Sequence, residues 1–510
     1  MKKWMSLLLC CLMLASSCAC ALAEPLTEEP VTFRIAIGRQ VLDLSDNFNE
    51  KLAAQLAEAD TNIHADWVEL IIDSSTERVN LMLASGDMPD AFISVLSEQQ
   101  VLKNASQFVP LNDLIETYAP HIKAQYDAVE GMWDKVTMTD GNIYTLATGS
   151  YTNPENWAGG IPVYNKAWLE KLGLSYPTNM DEFYDVLVAV RDGDPNGNGI
   201  QDEIPLEFCE NDWCTHILEY GGFWGFTNYY KVENGQFIAT PMTDDFRAFL
   251  EYFHTLAQEG LLDVEGFSQT NQQWQTKAKD DRCFMFYTWT ANGLFDQEKA
   301  DEFAVFKPIQ AGSAKPVVSG EVNAFKGNRF GFAISKTCKN PELLLQWFDR
   351  QSADTRTKMT WRYGEEGLLW EMNDDGVFMN YPEATAEMSV ENMKYTYGNT
   401  DMIPALLMPE EVPVPNAEKY PSAAIRTEMV NEILDYIPAE ALPIRSVPAE
   451  KINERALIWT DLEAYLDGFV ATSIMNGVTD AQWEAHLAAA EAYGIREWAQ
   501  WYQDYIDGAF

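Results

Sequence analysis

The sequence predicts an α/β protein of two lobes with a helical C-terminal third. Three observations predict it. The 510-residue chain is too long for a single hydrophobic core, so its apolar residues must divide between at least two. Short strand-like runs alternate with helical periods through the first two thirds, the pattern of βαβ units and a mostly parallel sheet. The remainder is dominated by long helical stretches. With 47% apolar and 12% aromatic residues, the composition is that of a globular rather than a disordered chain.

The elements follow in order. Residues 31–37 alternate in their first half and form the opening strand. Helix 48–59 comes next, with Leu52 and Leu56 four apart as its apolar side, then strand 66–72 and helix 76–84. The turn Ser85-Gly86-Asp87 leads to a third strand over 89–93. A helix opens after Pro110, where Asn112 or a neighbour can cap it. Past Gly159-Gly160 a new unit begins with strand residues 163–165, a helix over 166–172 stopped by Gly173, and a second helix over 181–191. Helix 244–258 ends at Gly260, strand 283–288 follows, and 303–309 and 331–334 read as further strands. Helices over 340–352, 448–475 and 480–506 complete the chain, the last begun by Thr479-Asp480-Ala481-Gln482.

The first residues define the compartment. Lys2 and Lys3 precede an apolar run to about Leu14, then small residues and Ala21-Leu22-Ala23, the order of a secretory signal cleaved before Glu24. Cys18, after Leu14-Ala15-Ser16-Ser17, loosely resembles a lipoprotein site with Leu14 one position too far away; lipid there would tether the protein to the outer leaflet. No later run reaches the roughly 20 apolar residues of a membrane span. The chain is therefore expected at the extracellular face of the envelope. Loss of residues 1–23 removes two lysines and moves the net charge from −43 to −45, which argues against nucleic acid and anionic membranes as partners. Of the eight cysteines, Cys209, Cys214, Cys283 and Cys338 remain, without a C-x-x-C pair. Cys209 and Cys214 could form a disulfide or stay as buried thiols.

Residues 194–203, Asp-Pro-Asn-Gly-Asn-Gly-Ile-Gln-Asp-Glu, alternate oxygen-bearing side chains with turn formers. Calcium takes six to eight such oxygens, and Gly197 and Gly199 supply backbone angles other residues resist. Two registers fit. One starts at Asp192, satisfies D-x-[DN]-x-[DN]-G-x₅-E and ends at Glu203. The other starts at Asp194 and uses Asn196, Asn198, the carbonyl of Ile200, Asp202 and Glu203. The alternative is a solvated Asx-rich turn. Among 16 tryptophans and 22 tyrosines, those in turn-rich segments suit the apolar face of a sugar: Trp157, Trp224, Trp289 and Trp361 beside Arg362. Trp289 leads, because strand ends in open α/β sheets face the crevice. Trp168, Trp347 and Trp459 sit in helical patterns and are assigned to packing. No G-x-S-x-G, H-E-x-x-H, G-x-x-x-x-G-K-[ST] or strand-borne G-x-G-x-x-G is present, so no catalytic motif stands out. A secreted glycan-active hydrolase, which needs only a carboxylate pair, is the alternative class, followed by a calcium-dependent adhesion module.

Several strings, in this order and spacing, carry a family resemblance: Leu83-Ala-Ser-Gly-Asp-Met-Pro-Asp90, the segment 110–120, Asp140-Gly-Asn-Ile-Tyr144, Tyr164-Asn-Lys-Ala-Trp-Leu-Glu-Lys-Leu-Gly173, the loop 194–203 with Ile204-Pro205, Glu259-Gly260-Leu261 and Ile334-Ser335-Lys336. The chain resembles the extracellular solute-binding proteins of ATP-driven importers, the large family 1 type that includes alginate-binding proteins. The resemblance implies a type II periplasmic-binding-protein-like fold: hinged lobes with a carbohydrate, an oligosaccharide, held between them and delivered to membrane permease subunits. It implies lobe 1 over 31–160 plus 306–355 and lobe 2 over 161–305 plus 356–510, with crossings near 161–163 and 305–309. It also selects the calcium register starting at Asp194, as a structural brace in lobe 2, and a protein acting as a monomer.

Overall fold

The computed structural model describes residues 24–382 and 388–510, so the expected signal segment 1–23 with Cys18 lies outside the described residues. Two principal sheets organise the chain. In the first the order is Leu406–Leu407, Leu146–Ser150, Asn328–Ile334, Ala91–Ile93, Val31–Arg39, Ile63–Ile71. Val31–Arg39 pairs in parallel with Ile63–Ile71 and Ala91–Ile93, the product of the predicted βαβ alternation. Asn328–Ile334, arriving from far along the chain, lies antiparallel to both of its neighbours. The second sheet is ordered Phe303–Val305, Ile161–Asn165, Cys283–Thr288, Ile204–Leu206, and only its last pair is parallel. The expected mostly parallel sheet is thus mixed. The chain leaves the first sheet after Ser150, builds the whole second sheet with its helices, and returns at Asn328 running in the opposite sense to its neighbours.

Local chemistry explains most elements. Asn165 accepts from Trp168 N and starts the helix Lys166–Leu172, which Gly173 stops in the left-handed region (φ 69°). Thr479 and Gln482 form a reciprocal cap on Asp480–Ala492, but the expected single closing helix breaks at Gly494 (φ 89°) before Ile495–Asp507. Helix Leu52–Thr61 buries Ala53, Ala54 and Ala57, whereas the predicted Leu56 is 52% exposed. Small side chains let this helix lie close to Thr355–Tyr363, and periodicity had ranked Leu above Ala. Asn112 does not cap its helix. Its Oδ1 accepts from Ile143 N (2.9 Å) and its Nδ2 donates to Gly141 O (3.1 Å), pinning a distant turn.

Packing also revises the expected lobe limits. Met359, Trp361, Trp370, Met379 and Leu406 join the core of the first sheet with Ile35 and Trp347, although 356–510 was expected in lobe 2. Apolar residues on helix Thr355–Tyr363 find aromatic partners there: Trp361 stacks on Phe48 and meets Trp67 and Trp347 edge-on. From helix Ile425–Ile433 onward the chain packs on the second sheet, through Val430 and Ile433, then Leu462 and Leu466.

Three segments cross between the sheets: 151–160, 306–327 and 408–424. The first two run against each other, bridged at Tyr151↔Phe325 and Ala158↔Gly320 and by Gly159 N donating to Ser319 O (2.9 Å). Gly160 sits where an added Cβ would collide with the carbonyl of Cys214, so this crossing lies flush on the second lobe.

Candidate functional site: a cleft between the two sheets

A cleft of about 570 Å³ opens at the crossing segments. Tyr151, Thr152, Arg362 and Asp401 line it from the first sheet's side; Trp289, Thr290 and Arg426 line it from the second. Trp289 is there because Cys283–Thr288 ends at residue 288, and the chain emerges from the sheet edge into the crevice.

The guanidinium of Arg426 lies over the Trp289 ring at 3.7 Å from its centroid. Arg426 is only 3% exposed. It donates to four main-chain carbonyls, Glu155 O (2.8 Å), Trp289 O (2.6 Å), Ala158 O (2.6 Å) and Gly159 O (2.7 Å). One side chain at the start of helix Ile425–Ile433 therefore fixes the first crossing segment and the tryptophan together. Burial holds its pKa down, to about 10, so it stays charged at neutral pH.

Arg362 reaches the cleft through Nη2, which contacts Asp401 Oδ1 (2.9 Å), while its Nε and Nη1 have no protein partner. The hydroxyls of Thr152 and Thr400 are also without partners, and Lys394 pairs with Glu391 (2.6 Å). Burial pushes the Glu155 carboxyl up, against the hydrogen bond from Asn153 Nδ2 (3.2 Å). Aromatic faces beside unpaired hydroxyls and charged donors suit a polyhydroxylated ligand, whose rings carry apolar C–H faces and equatorial hydroxyls.

The other sequence candidates separate. Trp361 is 1% exposed, donating from Nε1 to Gln351 Oε1 (2.9 Å), and belongs to the first core. Trp224 is 3% exposed inside a cage of Phe249, Tyr252 and Phe253. Both are corrections: each sits beside a turn in sequence, but the turn is covered by packed aromatics. Trp157 faces an adjoining cavity of about 310 Å³, apart from Trp289. Arg426 was missed because its partners are carbonyls about 137 to 271 residues away, which no local motif reports.

The loop 194–203 closes on itself. Asp194 accepts from Gly199 N (3.1 Å), Asn198 Oδ1 accepts from Ile200 N (2.6 Å), and Asn198 Nδ2 donates to Asp202 Oδ1 (3.0 Å). Gly197 and Gly199 take φ of 75° and 77°, as the turn requires. Glu203 is 7% exposed and neither carboxylate oxygen has a partner, so burial and the neighbouring Asp194 and Asp202 push its pKa up. Two buried carboxylate oxygens without donors fit a cation. Among the described residues, however, no group of three or more carboxylate, His or Cys side chains converges as a metal centre. All four described cysteines are free and buried, and Cys209 and Cys214 are unbonded.

Glu219 adds a pH-dependent element beside the crossings. Its carboxyl accepts from Ser319 Oγ (3.0 Å), and burial raises its pKa from 4.5 to about 7. A raised carboxyl pKa means the folded state binds more protons. Its stability is full below about pH 4.5 and is lost as pH climbs through 7, on the order of 3 kcal/mol. Glu219→Gln is expected to melt with the wild type at pH 5 and above it at pH 8. Parallel melting curves at both pH values would contradict this.

Two α/β halves joined by crossing segments, with the cleft between them, define a solute-receptor fold. The family profile of bacterial extracellular solute-binding proteins matches residues 43–349, and the chain belongs to that family. It is 27% identical over 484 residues to the fructooligosaccharide ABC transporter substrate-binding protein FusA of Streptococcus pneumoniae, covering 90% of this chain and 87% of FusA. It is 24% identical over 460 residues to the polygalacturonan/rhamnogalacturonan-binding protein YtcQ of Bacillus subtilis, covering 87% and 85%. The FusA structure in complex with kestose superposes with a TM-score of 0.74 at 24% identity, covering 94% of this chain and 99% of that one. A human-milk-oligosaccharide-binding protein from Bifidobacterium longum infantis shares the fold, with a TM-score of 0.79 at 19% identity and coverage of 94% and 99%. Among the described residues, no helix is long and apolar enough to cross a membrane.

Proposed function

We propose that this protein captures an oligosaccharide in the cleft between its two sheets and delivers it to the membrane subunits of an ATP-driven importer. The observation that carries this reading is Trp289, held by Arg426 at the wall of a cleft whose lining also carries Thr152, Arg362 and Asp401. Relatives whose names specify fructooligosaccharide and polygalacturonan point to the same ligand class. The two sheets with their packed helices act as lobes and the three crossing segments as the hinge, so closure buries the sugar between them. A thermal-shift screen over neutral and acidic oligosaccharides tests the reading: a raised melting temperature with at least one series is expected. Hydrolysis of a screened glycan, abolished by replacing one cleft carboxylate, would replace it with the hydrolase reading.

Calcium fits the loop 194–203 as a brace of the second lobe. Asp194, Asn196, Asn198, the Ile200 carbonyl, Asp202 and Glu203 would hold it, and Glu203 supplies the unpartnered oxygens. One structural neighbour is an EF-hand mutant of FusA and another an alginate-binding protein without calcium ion. The bound ion would neutralise carboxylates that otherwise repel one another. EDTA is expected to lower the melting temperature and added calcium to restore it, by about 3 kcal/mol at a hundredfold excess over Kd. Glu203→Gln should lose that response. A melting curve indifferent to EDTA and calcium would contradict the assignment.

A further inference from the structure

Trp213 stands out on the molecular surface. It is 60% exposed, while the residues on either side, Asp212 and Cys214, are each 4% exposed. The turn that presents it is stiff. Asp212 N donates to Cys209 O (3.1 Å), and the Asp212 carboxylate accepts from Cys214 N (2.9 Å) and Trp274 Nε1 (3.2 Å). A large apolar ring is thus displayed to water on a hydrogen-bonded turn. Among the described residues its ring neighbour is Trp289, at 5.7 Å between centroids and inclined by 47°. Trp289 is itself clamped by Arg426.

We infer that Trp213 continues the sugar-stacking surface of Trp289 beyond the enclosed cleft and sets the preference for longer chains. This rests on the carbohydrate reading of the cleft. Two successive rings of an oligosaccharide can lie along inclined aromatic faces at this separation, each packing its C–H side. A stiff tryptophan loses little conformational entropy on binding, so the contact converts efficiently into affinity. A monosaccharide on Trp289 would not reach Trp213; a longer chain would.

The test titrates the full mature chain, wild type, Trp213→Ala and Trp289→Ala, by calorimetry with sugars of increasing length, fructose, kestose and nystose, and in parallel with mono-, di- and trigalacturonate. In whichever series binds, wild-type affinity is expected to rise with length. Trp213→Ala should remove about tenfold from the longest member and nothing from the shortest, with an unchanged melting temperature. Trp289→Ala should weaken every member. Equal affinities of Trp213→Ala and wild type at every length would overturn the inference while leaving the carbohydrate reading intact. If wild type binds neither series, that reading falls and this inference with it.

Discussion

Arg426→Met is expected to be the most damaging single change at the cleft. It removes the donors to four main-chain carbonyls on the first crossing segment and at Trp289, one fully and three partly buried, and leaves a methionine against an indole face. Each buried acceptor left unpaired costs about 1–3 kcal/mol, and water entering from the cleft recovers part of it, so the net loss is on the order of 4 kcal/mol. Arg426→Lys keeps the charge but offers a compact ammonium that cannot span four carbonyls and stack at once, and it should fall in between. Urea denaturation gives the stability and calorimetry the affinity. Both should drop, because the same side chain holds the hinge and seats Trp289. A Met variant that unfolds and binds like wild type would refute the clamp.

Trp289→Ala has the second large effect, and on a different quantity. Removing the ring takes away the stacking surface at the cleft wall and one face of the Arg426 packing, but none of the four carbonyl bonds to Arg426. Oligosaccharide affinity should fall by about tenfold to a hundredfold, on the order of 1.5–3 kcal/mol, while unfolding shifts by about 1 kcal/mol from the lost cation–π contact. The contrast separates the two residues: Arg426 acts on folding and binding together, Trp289 mainly on binding.

Much of this was legible in the sequence for a physical reason. Asn165, Gly173, Thr479 and the oxygen-rich loop act on neighbours within a few residues, so spacing alone exposes them. The place of Trp289 at the cleft wall was legible because a strand end has a fixed position in an open sheet. What stayed hidden depends on distant partners. Nothing near Arg426 announces carbonyls at 155–159 and 289, and nothing near Trp361 announces the ring cage of Phe48, Trp67 and Trp347. The mixed sheet was hidden likewise, because strand direction at Asn328–Ile334 is decided by where the chain returns. The helix Leu52–Thr61 misled in another way, since its close packing rewards alanine over leucine.

The central claim is that a sugar chain is held at the cleft between the sheets, and isothermal titration of the mature protein with the oligosaccharide that gives the largest thermal shift tests it most directly. The account predicts one saturable site, its affinity weakened at least tenfold in Trp289→Ala and unchanged by a substitution on the far helix, such as Glu491→Gln. Binding that is indifferent to Trp289, or no binding of any oligosaccharide by a folded wild type, would contradict it.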